Sequence, residues 1–252
     1  MHLTDGRSFL ASVDKKYDVI VSGVSDPWIS GVSNLFTHDY FMELKSKLTE
    51  DGLVALWFSN YRNTPEDFKT GLNSFAQVFP NTSIWFHYKA NLDLVVIGTV
   101  GAHELHMDRL KAVFGRPEVN EELRKIEIAS PYDVFSLYLT GGDDLRGFLK
   151  GAGINTDERP ILEFSLPKSL YGKVNGAERV TELLAASTEL APPATLDGMD
   201  ESEFYLELGK NYNRYEFRVA QALRAFEKSL ELNPGRKEAA LYAEKLRREL
   251  GR

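Results

Sequence analysis

The distribution of apolar and polar residues along the first hundred positions predicts a layered α/β sheet. Residues 17–22 are rich in β-branched side chains, and residues 53–58 form a continuous apolar run typical of a strand buried on both faces. Two further strands are expected at 83–88 and 92–99, around a turn at 89–91. Helical patterns separate the first three strands, which favours an α/β architecture.

The helices between these strands have recognisable beginnings. Residues 39–48 carry apolar side chains at helical spacing and predict one helix, followed by a turn at 50–52. Thr64 is a good N-cap, and Pro65 suits the first position of the next helix. We therefore expect the order strand, loop, helix, strand, helix, strand, strand.

The remaining chain divides by pattern and composition. Residues 102–153 become helical, including predicted helices at 131–139 and 143–151, and residues 155–160 form a polar turn before an apolar stretch. This pattern predicts four consecutive segments: a sheet domain at 1–101, a helical extension of that domain at 102–180, a linker at 181–200, and a helical repeat at 201–252.

Composition excludes several classes of function. The chain has 252 residues and a net charge of -7, which argues against a nucleic-acid binder. It has no cysteine, so disulfides and cysteine-ligated zinc are excluded, and its five histidines form no metal-ligand pattern, so no metal site is expected. There is no signal peptide pattern or apolar run long enough to span a bilayer, so we expect a soluble, cytoplasmic protein.

Candidate chemistry lies where the strand at 17–22 ends in a polar loop. Open α/β sheets bind ligands outside the carboxyl ends of their strands, and Asp26 is the first carboxylate after this strand. Asp26 could instead close an Asx-turn before Pro27. Asp5, followed by Gly6, could likewise be the first residue of a simple turn.

The amino-terminal region resembles the spermidine synthase family of polyamine aminopropyltransferases, in particular a bacterial branch in which such a domain follows a membrane transporter. The residues that carry the resemblance are Asp5-Gly6-Arg7, Phe9-Leu10, Tyr17-Asp18-Val19-Ile20, Asp26-Pro27-Trp28-Ile29-Ser30-Gly31, Leu35-Phe36-Thr37, Phe41, Leu48 through Gly52, and Asn155 through Phe164.

The resemblance implies a Rossmann-like methyltransferase fold that transfers an aminopropyl group from decarboxylated S-adenosylmethionine to a polyamine. It implies that Asp5 and Gly6 lie beside the adenine of that co-substrate, and that Asp26 helps to hold the amine. Carboxylates suit this chemistry because they bind a cationic amine and accept its proton.

Two departures from the family limit what the chain is expected to do alone. The aspartate that resembles a general base in the family falls at Gly23, and no G-x-G-x-x-G motif occurs to cradle the nucleotide. We therefore expect a fragment of a longer parent, inactive as an isolated chain. The resemblance to the transporter-fused branch implies that this parent is anchored in a membrane. Its strand at 17–22 would then be an exposed sheet edge, covered by a protein partner or by self-association.

The last fifty residues resemble one tetratricopeptide repeat, through Leu208-Gly209, Tyr212, Ala222, Phe226 and Pro234. Gly209 and Ala222 would allow two antiparallel helices to approach closely. A third, capping helix is expected at 238–250, with Ala239, Ala240, Ala243 and Leu246 facing inward. A single repeat buries its own face poorly, so it is expected to pack on the preceding domain or on another chain.

Three functions remain open from the sequence. The first is an aminopropyltransferase-like domain. The second is a methyltransferase-like protein that uses ordinary S-adenosylmethionine on the same scaffold. The third is a non-catalytic interaction module that acts through the carboxy-terminal repeat.

Overall fold

The computed structural model describes residues 4–24, 27–60, 62–87, 93–169 and 176–251. The chain forms two compact units. Unit 1 contains residues 1–103 and 139–188, and unit 2 contains residues 104–138 and 189–252. The units do not follow the four consecutive segments expected from the sequence, because residues 104–138 cluster with the carboxy-terminal helices.

Unit 1 is built on a five-stranded sheet in the order β1-β2-β4-β3-β6. The strands are β1 (Tyr17–Ser22), β2 (Leu48–Phe58), β3 (Asn81–Phe86), β4 (Leu94–Thr99) and β6 (Tyr138–Gly141). β1 pairs with β2 in parallel, whereas β4 pairs antiparallel with both β2 and β3. This arrangement confirms the α/β class, and β1 lies at the edge of the sheet, as predicted.

The helices of unit 1 are α1 (Gly6–Ser12), α2 (His38–Ser46), α3 (Pro65–Ala76), α7 (Gly142–Phe148), α8 (Ile161–Ser169) and α9 (Gly176–Ala186), with a 3-10 helix at Val32–Phe36. The predicted cap of α3 is confirmed, since the Thr64 side chain accepts a hydrogen bond from the Asp67 amide. The core joins one face of the sheet to α2 and α3 through a cluster of buried aromatic rings: Phe36, Phe41, Phe58, Phe68 and Phe75.

Several boundaries differ from the sequence expectations. α2 ends at Ser46, and Leu48 begins β2. The expected turn at 50–52 lies inside β2, where the β1–β2 pairing becomes irregular. Gly52 suits this irregularity because a Cβ there would lie 3.0 Å from the Tyr17 carbonyl oxygen.

One helix prediction in the later chain was wrong in extent. The helix expected at 131–139 ends at Ser136, since Tyr138 to Gly141 form a strand of the sheet. The first residues of the linker expected at 181–200 finish α9, which the sequence pattern allows, and Ala194–Thr195 form a short strand. The turn expected at 89–91 lies outside the described residues.

The second face of the sheet is apolar and only partly covered. Val19 and Val21 of β1 are 54% and 73% exposed, and Val95 of β4 is 44% exposed. Val21 pairs with Ala55 of β2, and Val95 pairs with Trp57 of β2. Ala55 and Trp57 are both half-buried. The exposed edge expected at β1 is therefore continuous with an exposed apolar face.

Unit 2 is mainly helical. Its elements are β5 (Leu105–His106), α4 (Met107–Phe114), α5 (Pro117–Lys125), α6 (Pro131–Ser136), β7 (Ala194–Thr195), α10 (Glu201–Tyr212), a 3-10 helix at Glu216–Arg218, α11 (Val219–Leu232) and α12 (Lys237–Glu249). β5 and β7 pair in parallel. No helix in the described ranges has the length and hydropathy needed to cross a membrane.

The three carboxy-terminal helices lie where the sequence predicts them. Gly209 of α10 lies against the Phe226 ring of α11, where an added Cβ would come within 2.7 Å of the ring. Ala222 and Tyr212 are buried as expected. Ala240 is an exception, since it is exposed on α12. The helices are confirmed, while their assignment to a tetratricopeptide repeat stays a prediction.

Candidate functional site

The candidate site lies at the carboxyl ends of the parallel strands β1 and β2. Residues 23–37 follow β1 and residues 59–64 follow β2. Because β1 and β2 are parallel, both loops begin at the same end of the strands. Asp26 belongs to the first of these loops in sequence, but it lies outside the described residues. The nearest described positions are Val24, which is half-buried, and Pro27, which is buried.

Asp5 caps α1. Its carboxylate accepts a hydrogen bond of 2.8 Å from the Ser8 amide, and this bond lowers the pKa of the fully exposed Asp5 carboxyl. The expected turn at residues 5–7 is therefore the first turn of a helix that begins at Gly6. N-capping gives Asp5 a local structural role, and its exposure leaves the carboxylate accessible to solvent.

Asp157 joins three segments of unit 1. Its carboxylate accepts two hydrogen bonds from the Arg7 guanidinium, at 3.1 and 2.5 Å, and one from the Thr37 hydroxyl at 2.7 Å. Hydrogen bonding with Arg7 is the largest cause that lowers the pKa of Asp157. Arg7 also donates to the Asn34 carbonyl oxygen at 3.0 Å, so α1 is tied to the end of the loop after β1.

Glu163, in the first turn of α8, holds the middle of the same loop. Its carboxylate accepts hydrogen bonds from the Ser30 hydroxyl at 3.0 Å, from the Gly31 amide at 3.1 and 3.2 Å, and from the Ser33 hydroxyl. These bonds lower the pKa of Glu163, with the Ser33 hydroxyl as the largest cause. The carboxylate is the stronger acceptor in its ionised form, which explains the direction of the shift.

A fully buried amide anchors the segment that carries these two carboxylates. The Asn155 side chain donates to the Phe36 carbonyl oxygen at 3.1 Å and accepts from the Leu162 amide at 3.1 Å. Its backbone amide donates to the Ser74 hydroxyl at 2.8 Å, and its carbonyl oxygen accepts from the His38 amide at 2.8 Å. The segment is therefore fixed independently of Asp157 and Glu163.

The loop after β2 contributes buried polar groups. Arg179 of α9 donates to the Asn63 side-chain and backbone oxygens, and its guanidinium lies 4.6 Å from the centre of the Phe68 ring. Arg62 lies over the half-buried Trp28 ring, at 5.6 Å from its centre, so the two loops are in contact. Trp28 packs against the core, which favours its role in covering the end of the sheet.

Tyr40 of α2 lies beside Arg7 in this network. It is buried, and the Arg7 guanidinium lies 5.6 Å from its ring centre. Burial raises the pKa of the Tyr40 phenol, although a hydrogen bond with Ser22 at the end of β1 acts in the opposite direction. Within the described ranges, no group of three or more ligating side chains is placed to hold a metal ion.

Sequence reasoning identified Asp5, Gly6 and Asp26 but missed the roles of Asp157 and Glu163. The sequence predicts residues 155–160 only as a polar turn. That holds for Thr156, whose hydroxyl oxygen accepts from the Arg159 amide at 3.0 Å, but not for the Asp157 carboxylate. The sequence contains one indication of these roles: residues 155–164 and the loop after β1 both contribute to the family resemblance.

Comparison with known proteins identifies the amino-terminal region. Residues 1–98 match the family model described as the spermine/spermidine synthase domain. This region of the chain is spermidine-synthase-like. The match contains positions 5, 6 and 26, together with β1, α2, β2, α3 and β3.

Curated relatives agree with this result. The chain is 25% identical over 163 residues to a polyamine aminopropyltransferase of Saccharolobus islandicus (strain L.S.2.15 / Lassen #1), an alignment that covers 63% of this chain and 53% of the relative. It is 28% identical over 92 residues to the polyamine aminopropyltransferase of Saccharolobus solfataricus, which covers 36% of this chain and 31% of the relative.

It is also 30% identical over 102 residues to polyamine aminopropyltransferase 2 of Bacillus anthracis, which covers 36% of this chain and 28% of the relative. The chain thus spans between 28% and 53% of the length of these three relatives. A crystal structure of a probable spermidine synthase from Corynebacterium glutamicum ATCC 13032 shares 16% identity, covering 62% of this chain and 53% of that one. Its TM-score of 0.41 is too low to carry an argument about the fold.

Proposed function

We propose that this chain carries the polyamine-binding part of an aminopropyltransferase-like site in the loop after β1. In this proposal Asp26 holds the cationic amine, while Asp5 and Gly6 face the nucleoside of decarboxylated S-adenosylmethionine. The observation that carries the proposal is the match of residues 1–98 to the spermine/spermidine synthase domain, because it includes all three positions. The polyamine aminopropyltransferases among the relatives support the same substrate class.

The surroundings of Gly23 bear on how much chemistry the chain performs alone. Gly23 is exposed, and a Cβ built there meets nothing within 4 Å, so the position has room for the carboxylate that the resemblance implies as a general base. Loss of a general base costs roughly 10²- to 10⁴-fold in rate. Because the sequence also lacks a Gly-rich nucleotide loop, we expect amine binding without appreciable turnover by the isolated chain.

Calorimetric titration of the chain with spermidine and putrescine tests this proposal. Asp26→Asn removes the proposed amine ligand and should weaken spermidine binding by about tenfold or more, since hydrogen bonds to charged groups contribute roughly 1.5–3 kcal/mol. Gly23→Asp adds a second carboxylate in open space and should strengthen binding. Asp14→Asn is the matched control, because Asp14 lies in the exposed segment between α1 and β1.

Two outcomes would contradict the proposal. One is an unaltered chain that binds neither amine, and the other is equal weakening by Asp26→Asn and Asp14→Asn. A parallel titration with decarboxylated and ordinary S-adenosylmethionine distinguishes the methyltransferase-like alternative. Preference for the carboxylated donor would favour that alternative over aminopropyl transfer.

An interaction module is a second candidate, favoured by the apolar surface of unit 1. The edge strand β1 exposes Val19 and Val21, and an unpaired apolar edge is a template for strand pairing. In unit 2, Leu241 on α12 is 69% exposed, which offers a second apolar contact. We therefore include protein association, with a partner or a second copy, in the proposed function.

A further inference from the structure

The middle of the loop after β1, residues 29–33, lies within the part of the chain that the structure describes. Val32 donates to the Ile29 carbonyl oxygen at 3.0 Å, just before the short 3-10 helix at Val32–Phe36. Ser30 and Gly31 are exposed, and Gly31 has a φ of +83°, a conformation that glycine adopts without strain. Contacts from outside the loop can therefore help to fix the conformation of these residues.

Glu163 supplies those contacts from 130 residues away. One carboxylate accepts from two hydroxyl groups and one backbone amide within residues 30–33, so it fixes both the side chains and the turn. Hydrogen bonds to an ionised acceptor are shorter and stronger than neutral ones. Asp157 holds the end of the loop in the same way, through the Thr37 hydroxyl.

Asp157 also connects the loop to α1. Asp157 pairs with Arg7, which follows Asp5 and Gly6 directly, and Arg7 donates to the Asn34 carbonyl oxygen. The start of α1 and the loop that carries Asp26 are thus held by one segment, residues 155–163. Asn155 anchors that segment with its own four hydrogen bonds, so removing a carboxylate should leave the segment in place.

We infer that Glu163 is a positioning residue for the site in the loop after β1, and that Asp157 assists it at the end of that loop. Glu163 reaches the loop through Ser30, Gly31 and Ser33 and is not assigned contact with the substrate. Its role is to hold residues 30–33 of the loop, a few positions after Asp26 in the sequence, in one conformation. The inference rests on the proposed function, because positioning has meaning only if the loop binds a ligand.

Hydrogen exchange without ligand tests the structural half of this inference. In Glu163→Ala, exchange of the Gly31 amide should become about tenfold faster or more, because its acceptor is lost. Glu163→Gln keeps one acceptor oxygen and should restore most of the protection. Glu158→Gln, an exposed neighbour in the same segment, should change nothing, and the amides of Val54 and Leu56 in β2 should report an intact sheet in every variant.

Spermidine affinity tests the functional half with the same proteins. Glu163→Ala should weaken binding by about tenfold, Glu163→Gln should recover most of it, and Glu158→Gln should match the unaltered chain. If Glu163→Ala does not fold, Ser33→Ala removes the buried hydroxyl donor on the other side of the contact and should also speed exchange at Gly31, though less.

Unchanged exchange at Gly31 in Glu163→Ala or Ser33→Ala would overturn the inference, and so would faster exchange with unaltered spermidine affinity. An unaltered chain that binds no spermidine would instead overturn the proposed function, and the exchange of Gly31, measured without ligand, would still decide whether Glu163 orders the loop. The two failures are therefore distinguishable.

Discussion

Asp157 is the residue at which α1, the loop after β1 and the polar segment before α8 meet. Its carboxylate is bonded to Arg7 and Thr37, and its backbone amide donates to the Asp39 carboxylate at 2.8 Å. The Asp157 side chain is 43% exposed, so solvent screens part of its pairing with Arg7. We expect the stabilisation that Asp157 provides to depend on pH.

The pH dependence follows from the direction of the shift. Hydrogen bonding with Arg7 lowers the pKa of Asp157 below that of the unfolded chain, about 3.9. Its stabilisation is therefore present above about pH 4 and is lost as pH falls through the folded pKa. In thermal melts, the difference in Tm between the unaltered chain and Asp157→Asn should shrink between pH 7 and pH 3.

Glu43, which pairs with Arg7 at 3.4 Å, remains in the variant and in the unaltered chain, so its contribution to the difference in Tm largely cancels. Asp51→Asn, at an exposed position of β2, is the control and should lower Tm little at either pH. A Tm difference for Asp157→Asn that stays constant from pH 7 to pH 3 would contradict this account.

Residues with local roles were predictable, and residues with distant partners were not. Thr64 and Pro65 act within one helical turn, so the sequence predicts the start of α3 correctly. Glu163 has its partners 130 to 133 residues away, and no periodicity in the sequence indicates such a contact. Asp5 lies between these cases, because its capping role is local and its ligand role remains a proposal.

At the scale of elements, the edge strand β1 has the clearest functional consequence. Its Val19 and Val21 side chains point to the exposed face, and among the described strands only β2 pairs with it. Edge strands that expose apolar side chains promote association unless charge or proline blocks pairing. β1 contains one charged residue, Asp18, whose carboxylate accepts a hydrogen bond from the Thr49 hydroxyl at 2.9 Å.

We expect the chain to self-associate through β1, and Val21→Lys to reduce that association because a charge at the edge must be desolvated on pairing. Sedimentation velocity should show a weight-average mass that rises with concentration for the unaltered chain and rises much less for the variant. Val113→Lys on α4 is a matched control at another exposed valine. Monomeric behaviour of the unaltered chain at every concentration would contradict the prediction.

Most elements were predictable because apolar periodicity is a local property, whereas their ends depend on tertiary pairing. Leu48 fits the helical spacing of the preceding residues, but its pairing opposite Tyr17 places it in β2. Tyr138 and Leu139 continue the apolar pattern of α6, but they form β6 because that strand completes the sheet.

At the scale of the whole chain, the division into units could not be predicted from consecutive segments. Residues 104–138 have the composition of a helical extension, and only their contacts with 189–252 assign them to unit 2. The resemblance of the first hundred positions was predictable, since it depends on short motifs that the family model also matches. The loop geometry was not, because it requires residues 155–163.

The central claim is that a polyamine binds at the loop after β1. Amide chemical-shift mapping during a spermidine titration tests it most directly. The account predicts shift changes concentrated at residues 23–33, with smaller changes at residues 5–7 and negligible ones in unit 2. Changes confined to the helices of unit 2, or no changes at saturating spermidine, would contradict it.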